Sequence, residues 1–196
     1  MKLVFATHNE HKFIEVQLLL PEHITLLSLH DIGCSQDIPE TAETLEGNAI
    51  LKADYVTDNY GYPCFADDTG LLVDALEGAP GVRSARYAGE QKSSQENMDK
   101  LLAKLKNKTS RSAQFKTVIA LNLNGKKTLF QGIVKGEITK SKQGEKGFGY
   151  DPIFSPRGYN KTFAELSISI KNKISHRGRA IRELTDYLKK QRYATE

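Results

Sequence analysis

Two hydrophobic periods run along this chain, one typical of strands and the other typical of helices. A short apolar run at residues 2–6 predicts a strand. Residues 11–20 carry apolar side chains at helical spacing until Pro21, which predicts a helix that ends there. Another apolar run follows at residues 24–29. Strands and helices therefore alternate in the first part of the chain.

The next segment combines a capped helix with a strand that leads into two acids. Thr44 is an N-cap candidate for a helix with one apolar face, and this helix is expected to end before Gly61. Residues 64–66 predict a short strand, with residues 67–70 at its end. The carboxylates of this Asp-Asp-Thr-Gly segment are therefore expected just beyond a strand.

The second half begins with a helix and continues with a hairpin. Ser93 and Glu96 form a capping box ahead of a helical apolar pattern. Residues 113–123 alternate in polarity, and Asn124-Gly125 predicts a type I′ turn into a second strand. Ser175 is the N-cap candidate of a C-terminal helix with one apolar face.

These elements together predict the fold class. Helices alternating with strands early, followed by a long hairpin, indicate an α/β protein with a mixed β-sheet and flanking helices. The 196 residues suit one domain, residues 1–196, built as two lobes. No internal repeat, low-complexity tract or linker divides the chain.

Composition and charge exclude several classes of protein. The net charge is only +4, with 28 Lys and Arg spread against 24 Asp and Glu, so no nucleic-acid partner is expected. No apolar run approaches the roughly 20 residues of a membrane span. Cys34 and Cys64 lack metal-binding spacing, and no secretory signal precedes them. A cytoplasmic protein with buried, unreactive thiols is expected.

Four polar residues lie where the first strand gives way to the first helix: Thr7, His8, Asn9 and Lys12. Backbone N–H groups point outward at such a junction and favour anions. A hydroxyl, an amide and an ammonium there could hold a polyphosphate, although no Walker sequence is present. The alternative is an ordinary surface lysine beside a helix cap.

Acidic residues form two groups that could bind a metal ion. Asp67 and Asp68 are neighbours, so in an extended segment only one of them would face a given cleft. Two such acids suit Mg²⁺, but a solvated turn is equally compatible with this spacing. Glu40, Glu43 and Glu46 could supply a second ligand or could instead be favourable charges near a helix N-terminus.

The stretch "GFGYDPIF", residues 147–154, combines glycines, aromatic rings, a carboxylate and a proline. Gly149 and Pro152 are unfavourable inside a strand, and a simple turn would not need Phe148 and Tyr150. The combination is typical of a loop in which the backbone approaches a flat ligand while a ring stacks on it.

Basic residues surround the start of the last predicted helix. Lys171 comes shortly before Ser175-His176-Arg177, and His and Arg there can donate to carbonyl or phosphate oxygens. A helix cap followed by a solvated basic turn is the alternative. The five histidines match no zinc pattern, and no nucleophile–base pairing stands out.

Six segments from about residue 5 to residue 185 carry a family resemblance: "ATHNEHKFIE", "PETAETLEGNAILKADY", "FADDTGLLVDALEGAPGVRSARYAG", "GFGYDPIF", "TFAEL" and "KNKISHRGRA". In this order they resemble the inosine triphosphate pyrophosphatase family. The resemblance implies two lobes around a central nucleotide-binding cleft, a homodimer and Mg²⁺ as cofactor.

The resemblance also implies residue roles. Asp68 would be the catalytic carboxylate and a metal ligand together with Glu40. The substrate-binding positions would be Thr7, His8, Asn9, Lys12, Thr69, Phe148, Gly149, Tyr150, Asp151, Lys171, His176 and Arg177. Among them, Phe148 would stack on the purine, while donors from His176 and Arg177 would favour a 6-keto base over adenine.

The implied reaction is hydrolysis of ITP, dITP and XTP to the monophosphate and pyrophosphate, which cleanses the nucleotide pool. Water would attack the α-phosphorus beside Mg²⁺. Two alternatives stay open at this point. One is a Maf-type pyrophosphatase for other nucleotides, and the other is a non-enzymatic binder of nucleotides or single-stranded nucleic acid.

Overall fold

The computed structural model describes residues 1–193, in which strands and helices alternate along most of the chain. The strands are β1 Lys2–Phe5, β2 Thr25–Leu27, β3 Cys64–Val73, β4 Pro80–Gly81, β5 Ser112–Leu123, β6 Lys126–Ile138 and β7 Phe154–Pro156. The helices are α1 Glu10–Gln17, α2 Leu45–Tyr60, α3 Ser94–Lys104, α4 Ile168–Ile174 and α5 His176–Tyr193. Short 3-10 turns occupy His30–Ile32, Asp74–Leu76, Ser84–Arg86 and Asp151–Ile153.

The sheet is mixed, as predicted. Its strand order is β2-β1-β3-β5-β6-β7, and β4 pairs with β3. β1 runs parallel to both β2 and β3, whereas the β3–β4 and β6–β7 pairs are antiparallel. An α/β fold with a mixed sheet is therefore confirmed.

Helix-capping residues and turn residues in the sequence correctly predicted where several elements begin or end. Thr44 accepts a hydrogen bond from the Gly47 backbone N–H and caps α2, and Ser93 caps α3 in the same way through Glu96. Asn124 and Gly125 both have positive φ, of 51° and 71°, as the predicted turn between β5 and β6 requires. These contacts are confined to neighbouring residues, which is why sequence alone could predict them.

One prediction about β3 is wrong. The aspartates do not follow a short strand; they lie inside a ten-residue strand that continues to Val73. The strand continues because its first part pairs with β1 and its last part pairs with β4. Asp67 and Asp68 therefore project from a fixed extended backbone instead of a turn.

The chain divides into two compact units. The first unit contains Met1–Asp68, Thr117–Gly132 and the chain from Arg177 onward. Phe5 and Phe65 stack in its core with ring centroids 4.7 Å apart. The core residues are Leu3, Phe5, Val16, Ile24, Phe65, Ile119, Leu121, Phe130, Ala180, Ile181, Leu184 and Leu188.

The second unit contains Thr69–Lys116 and Ile133–His176. Aromatic side chains dominate its core, where the rings of Phe115 and Phe154 meet edge to face at 4.7 Å. Phe154 also contacts Phe163 with the centroids 5.2 Å apart. The cleft between two lobes and the single domain spanning 1–196 stay predictions.

Two further expectations concern the thiols and the membrane. Cys34 and Cys64 are both free and buried, as predicted, and burial raises the pKa of the Cys64 thiol. Within residues 1–193, no helix combines the length and apolar character needed to cross a membrane.

Candidate active site

The junction between β1 and α1 is organised by its own polar side chains. Asn9 caps α1 by accepting from the Lys12 backbone N–H at 3.1 Å, and its own N–H donates to Thr7 Oγ1 at 3.1 Å. Nε2 of His8 lies 3.0 Å from the Gln36 carbonyl oxygen. All four candidate phosphate-binding residues therefore lie within one turn of this helix start.

Asp67 is the centre of a buried ionic group in the first unit. Its Oδ1 accepts from Lys12 Nζ at 2.8 Å, and its Oδ2 accepts from Arg177 Nε at 3.1 Å. A second guanidinium nitrogen, NH1 of Arg177, donates to Glu15 Oε2 at 2.7 Å. The group thus joins the start of α1, the middle of β3 and the start of α5.

The surroundings of Asp67 favour its ionised form. Burial alone would raise its pKa, but the charges of Lys12 and Arg177 outweigh burial and hold the pKa well below the ordinary range. Asp67 is therefore a permanent anion in the folded protein near neutral pH. In this arrangement it serves as the counter-charge for two cations.

Acid should destabilise the protein through Asp67. A carboxylate whose folded-state pKa is depressed stabilises the fold above its unfolded pKa of about 4, and this contribution is lost as the pH falls further. We expect the free energy of unfolding to decline below about pH 5. Urea unfolding at several pH values measures this decline, which should be shallower in Asp67→Asn. Equal slopes in both proteins would exclude Asp67 as a source of the effect.

Asp68 points to a different set of partners. Asn48 on α2 donates from Nδ2 to Asp68 Oδ2 at 3.1 Å, and Asn48 Oδ1 accepts from the Ala42 backbone N–H at 2.9 Å. Asn48 thereby links the catalytic candidate to the segment that carries Glu40. Burial raises the pKa of Asp68, with the positive charges of Lys52 and Lys12 opposing this rise.

Lys52 was not predicted from the sequence as a functional residue. It lies one helical turn after Asn48 on α2, and its Nζ donates to Glu40 Oε1 at 2.6 Å. Burial opposes the charged form of Lys52, but Asp68 and Glu40 raise its pKa above the ordinary value. The sequence feature that could have identified Lys52 was its position on the apolar face of α2, where a lysine needs a buried partner.

The second unit holds the "GFGYDPIF" loop. Asp151 Oδ2 accepts from the Phe148 backbone N–H at 2.9 Å and from Lys171 Nζ at 2.5 Å. The Lys171 ammonium lies 4.9 Å from the centroid of the Phe148 ring. The buried Asp151–Lys171 pair thus fixes the position of the aromatic ring that is expected to stack on a base.

The remaining loop residues support this arrangement. Gly149 has a φ of +64°, which suits glycine and lets the chain turn between the two aromatic residues. The Tyr150 hydroxyl donates to the Ser84 carbonyl oxygen at 2.9 Å, and its ring is buried. His176 stacks on Phe115 with ring centroids 4.5 Å apart. Tyr150 therefore anchors the loop to its own unit.

The structure groups the predicted residues into two sets. The first unit brings together the junction residues, Glu40, Asp68 and Arg177, and adds Glu15, Asn48, Lys52 and Asp67. The second unit brings Phe148 to Asp151 together with Lys171, and it also contains Thr69 and His176. Their roles in binding a substrate stay predictions.

Comparisons with known proteins agree with the resemblance seen in the sequence. The model of the Ham1 family matches residues 3–187. A dITP/XTP pyrophosphatase of Flavobacterium johnsoniae is 66% identical over 96% of this chain and 98% of its own length. The one from Bacillus subtilis is 45% identical over 94% and 96% of the two chains.

A solved structure supports the same conclusion. The Ham1 protein of Staphylococcus aureus is 42% identical and covers 97% of this chain and all of its own, with a TM-score of 0.89. Sequence motifs, fold and relatives agree over nearly the full length. The chain belongs to the Ham1 family.

Proposed function

We propose that this chain is a nucleoside triphosphate pyrophosphatase that hydrolyses ITP, dITP and XTP to the monophosphate and pyrophosphate. Family membership and the pyrophosphatase activity for which its relatives are named support this reaction and favour neither a Maf-type enzyme nor a non-enzymatic binder. The structural observation that carries the proposal is the meeting of two lysines and three carboxylates in the first unit. The carboxylates could hold a divalent cation, and the lysines could contact the phosphate oxygens of a triphosphate.

The donor set is suitable for Mg²⁺ bound together with a nucleotide. No group of three or more His, Cys, Asp or Glu within residues 1–193 could hold a metal ion. Mg²⁺ often takes only one or two carboxylates and completes its shell with phosphate oxygens and water. Glu40 and Asp68 would be these carboxylates. The bound ion would neutralise charge on the phosphates as the reaction proceeds.

Asp68 has the properties of a general base. Its pKa is raised by burial, so the carboxylate holds a proton more strongly than an exposed aspartate does. A water molecule attacks the α-phosphorus while Asp68 takes its proton, and the bond from this phosphorus to the bridging oxygen breaks. Pyrophosphate leaves with the electron pair of that bond. Lys12 would neutralise phosphate charge at the α1 junction.

Recognition of the base would involve the "GFGYDPIF" loop, His176 and Arg177, the positions that the family resemblance assigns to it. Phe148 supplies the stacking ring, and its position is set by Asp151 and Lys171. Donors on His176 and Arg177 would match the 6-keto oxygen of hypoxanthine or xanthine. Adenine would leave such donors unpaired, a mismatch that typically costs about 1–3 kcal/mol.

Product analysis tests the proposal. Purified protein is incubated with ITP, ATP, GTP or dTTP, each with Mg²⁺ and with EDTA, and the products are separated by ion-exchange chromatography. We expect IMP and pyrophosphate from ITP with Mg²⁺, little product from the other nucleotides, and none with EDTA. Orthophosphate as the first product would exclude attack at the α-phosphorus.

Three further expectations concern the oligomeric state, the cellular location and the binding partners of the protein. A homodimer, a cytoplasmic location and the absence of a nucleic-acid partner stay predictions. Size-exclusion chromatography with light scattering would measure the first of them.

A further inference from the structure

The position of Lys52 is unusual for a charged residue. Its side chain is only 9% exposed, and it lies on the face of α2 that also buries Ala49, Ala53 and Val56. An ammonium at such a site must be neutralised, because an unpaired buried charge is very costly. Glu40, with 26% of its side chain exposed, provides the contact at 2.6 Å.

The carboxylates beside Lys52 also need a cation. Asp68 and Glu40 carry like charges, and Asn48 connects Asp68 to the segment that carries Glu40. Asn48 donates to Asp68 and accepts from the backbone two residues after Glu40, so both acids belong to one hydrogen-bonded region. Lys52 lies one helical turn from Asn48 on α2, and Asn48 donates to Asp68, so the Lys52 ammonium belongs to the same buried region as both carboxylates.

We propose that Lys52 is an internal counter-cation of the Glu40–Asp68 site, which neutralises these carboxylates in the free protein and competes there with a divalent cation. This inference rests on the proposed function, in which the same carboxylates hold Mg²⁺. A divalent cation that approaches Glu40 must compete with an ammonium already in contact with it. The free protein therefore binds the cation weakly.

A nucleotide changes this balance. The triphosphate brings several negative charges, which attract both the divalent cation and the ammonium, so the two cations no longer compete for a single set of carboxylates. Divalent cation and nucleotide should consequently bind with positive coupling. Lys52 makes tight binding of the metal conditional on the presence of substrate.

The test measures binding of Mn²⁺ to the nucleotide-free protein by the electron paramagnetic resonance signal of free Mn²⁺. We expect Lys52→Met to bind Mn²⁺ about tenfold more tightly than the wild type, because a competing charge has been removed. Lys52→Gln keeps a hydrogen-bond donor for Glu40 but removes the charge, so it should also bind Mn²⁺ more tightly than the wild type does. Lys52→Arg keeps the charge and should bind Mn²⁺ like the wild type.

A matched control removes a different lysine from an ion pair in the same unit. Lys127 contacts Asp54 at 2.7 Å and is 45% exposed, so Lys127→Met removes the same charge away from the proposed site. Its Mn²⁺ affinity should be unchanged. Thermal unfolding provides a second measurement. Without metal, Lys52→Met should have a lower Tm than the wild type, and millimolar Mg²⁺ should restore much of this loss.

The outcomes separate this inference from the proposed function. Unchanged or weaker Mn²⁺ binding in folded Lys52→Met and Lys52→Gln would overturn the role of Lys52, even if Mn²⁺ still binds together with a nucleotide. Absence of Mn²⁺ binding to every variant, with and without nucleotide, would instead contradict the metal site of the proposed function and the inference with it.

Discussion

Asp68→Asn should lower kcat for ITP by about a thousandfold or more, because Asp68 is the general base and one of the metal ligands in the proposed mechanism. Asparagine has nearly the same size as aspartate, but it cannot take a proton from water and is a weaker ligand for Mg²⁺. The loss should appear mainly in kcat, since Lys12 and the base-binding residues remain. Steady-state assays of pyrophosphate release measure the effect.

The fold should tolerate this substitution. The pKa of Asp68 is raised in the folded protein, which means that folding disfavours its charged form relative to the neutral one. A neutral side chain at this position therefore costs little stability, and it removes the repulsion with Glu40. We expect a change of no more than about 1 kcal/mol in the free energy of unfolding.

Asp54→Asn is a suitable control for this experiment. Asp54 accepts from Asn122 at 2.8 Å and from Lys127 at 2.7 Å, and it belongs to neither group of candidate site residues. Its substitution removes the same charge and should leave kcat unchanged. Near-normal turnover by folded Asp68→Asn would remove Asp68 from the mechanism.

The sequence predicted the features of this fold that depend on contacts between neighbouring residues, and it missed features that depend on residues far apart in the chain. The caps of α2 and α3 and the turn at Asn124-Gly125 depend on neighbours within three residues, and each was predicted. α4 was missed because it has only seven residues and an incomplete apolar face. The continuation of β3 was missed because pairing with β1 and β4 outweighs the local turn signal of the Asp-Asp-Thr-Gly segment.

The ionic group around Asp67 shows the same limit within the site. Its partners Lys12 and Arg177 are separated from it by 55 and 110 residues, so no local pattern could pair them. The family motifs placed Lys12, Asp68 and Arg177 in a site, but they did not indicate which carboxylate holds which cation. Lys52 differs in this respect, because the sequence already placed it on the apolar face of α2, where a lysine needs a buried partner.

The second large effect is expected from substitution of Arg177, which should change both the stability of the fold and the recognition of the base. The guanidinium lies between Glu15 and Asp67, and all three side chains are buried. Removing it takes away a buried cation that Glu15 and Asp67 share. We expect Arg177→Met to lower the free energy of unfolding by about 3–5 kcal/mol, as is typical when one partner of a buried pair is removed.

A double-mutant cycle identifies the cause of this loss. In the Arg177→Met background, Glu15→Gln removes one of the two carboxylates that shared the guanidinium and should restore about 1–2 kcal/mol, whereas the same change in the wild type should be destabilising. Urea unfolding of the four proteins at pH 7 gives the coupling energy. A loss below about 1 kcal/mol in Arg177→Met would show that the guanidinium does not neutralise this group.

The same variants separate stability from base recognition. Loss of Arg177 should narrow the preference for ITP over ATP, mainly through slower hydrolysis of ITP. Glu15→Gln keeps the guanidinium but frees it from one anchor, so it should disturb selectivity less than Arg177→Met does. Values of kcat/KM for ITP and ATP, measured below the Tm of each variant, provide the comparison. If ITP and ATP lose activity equally in Arg177→Met, Arg177 acts by holding Asp67 and Lys12 in place, and the base is recognised by other residues.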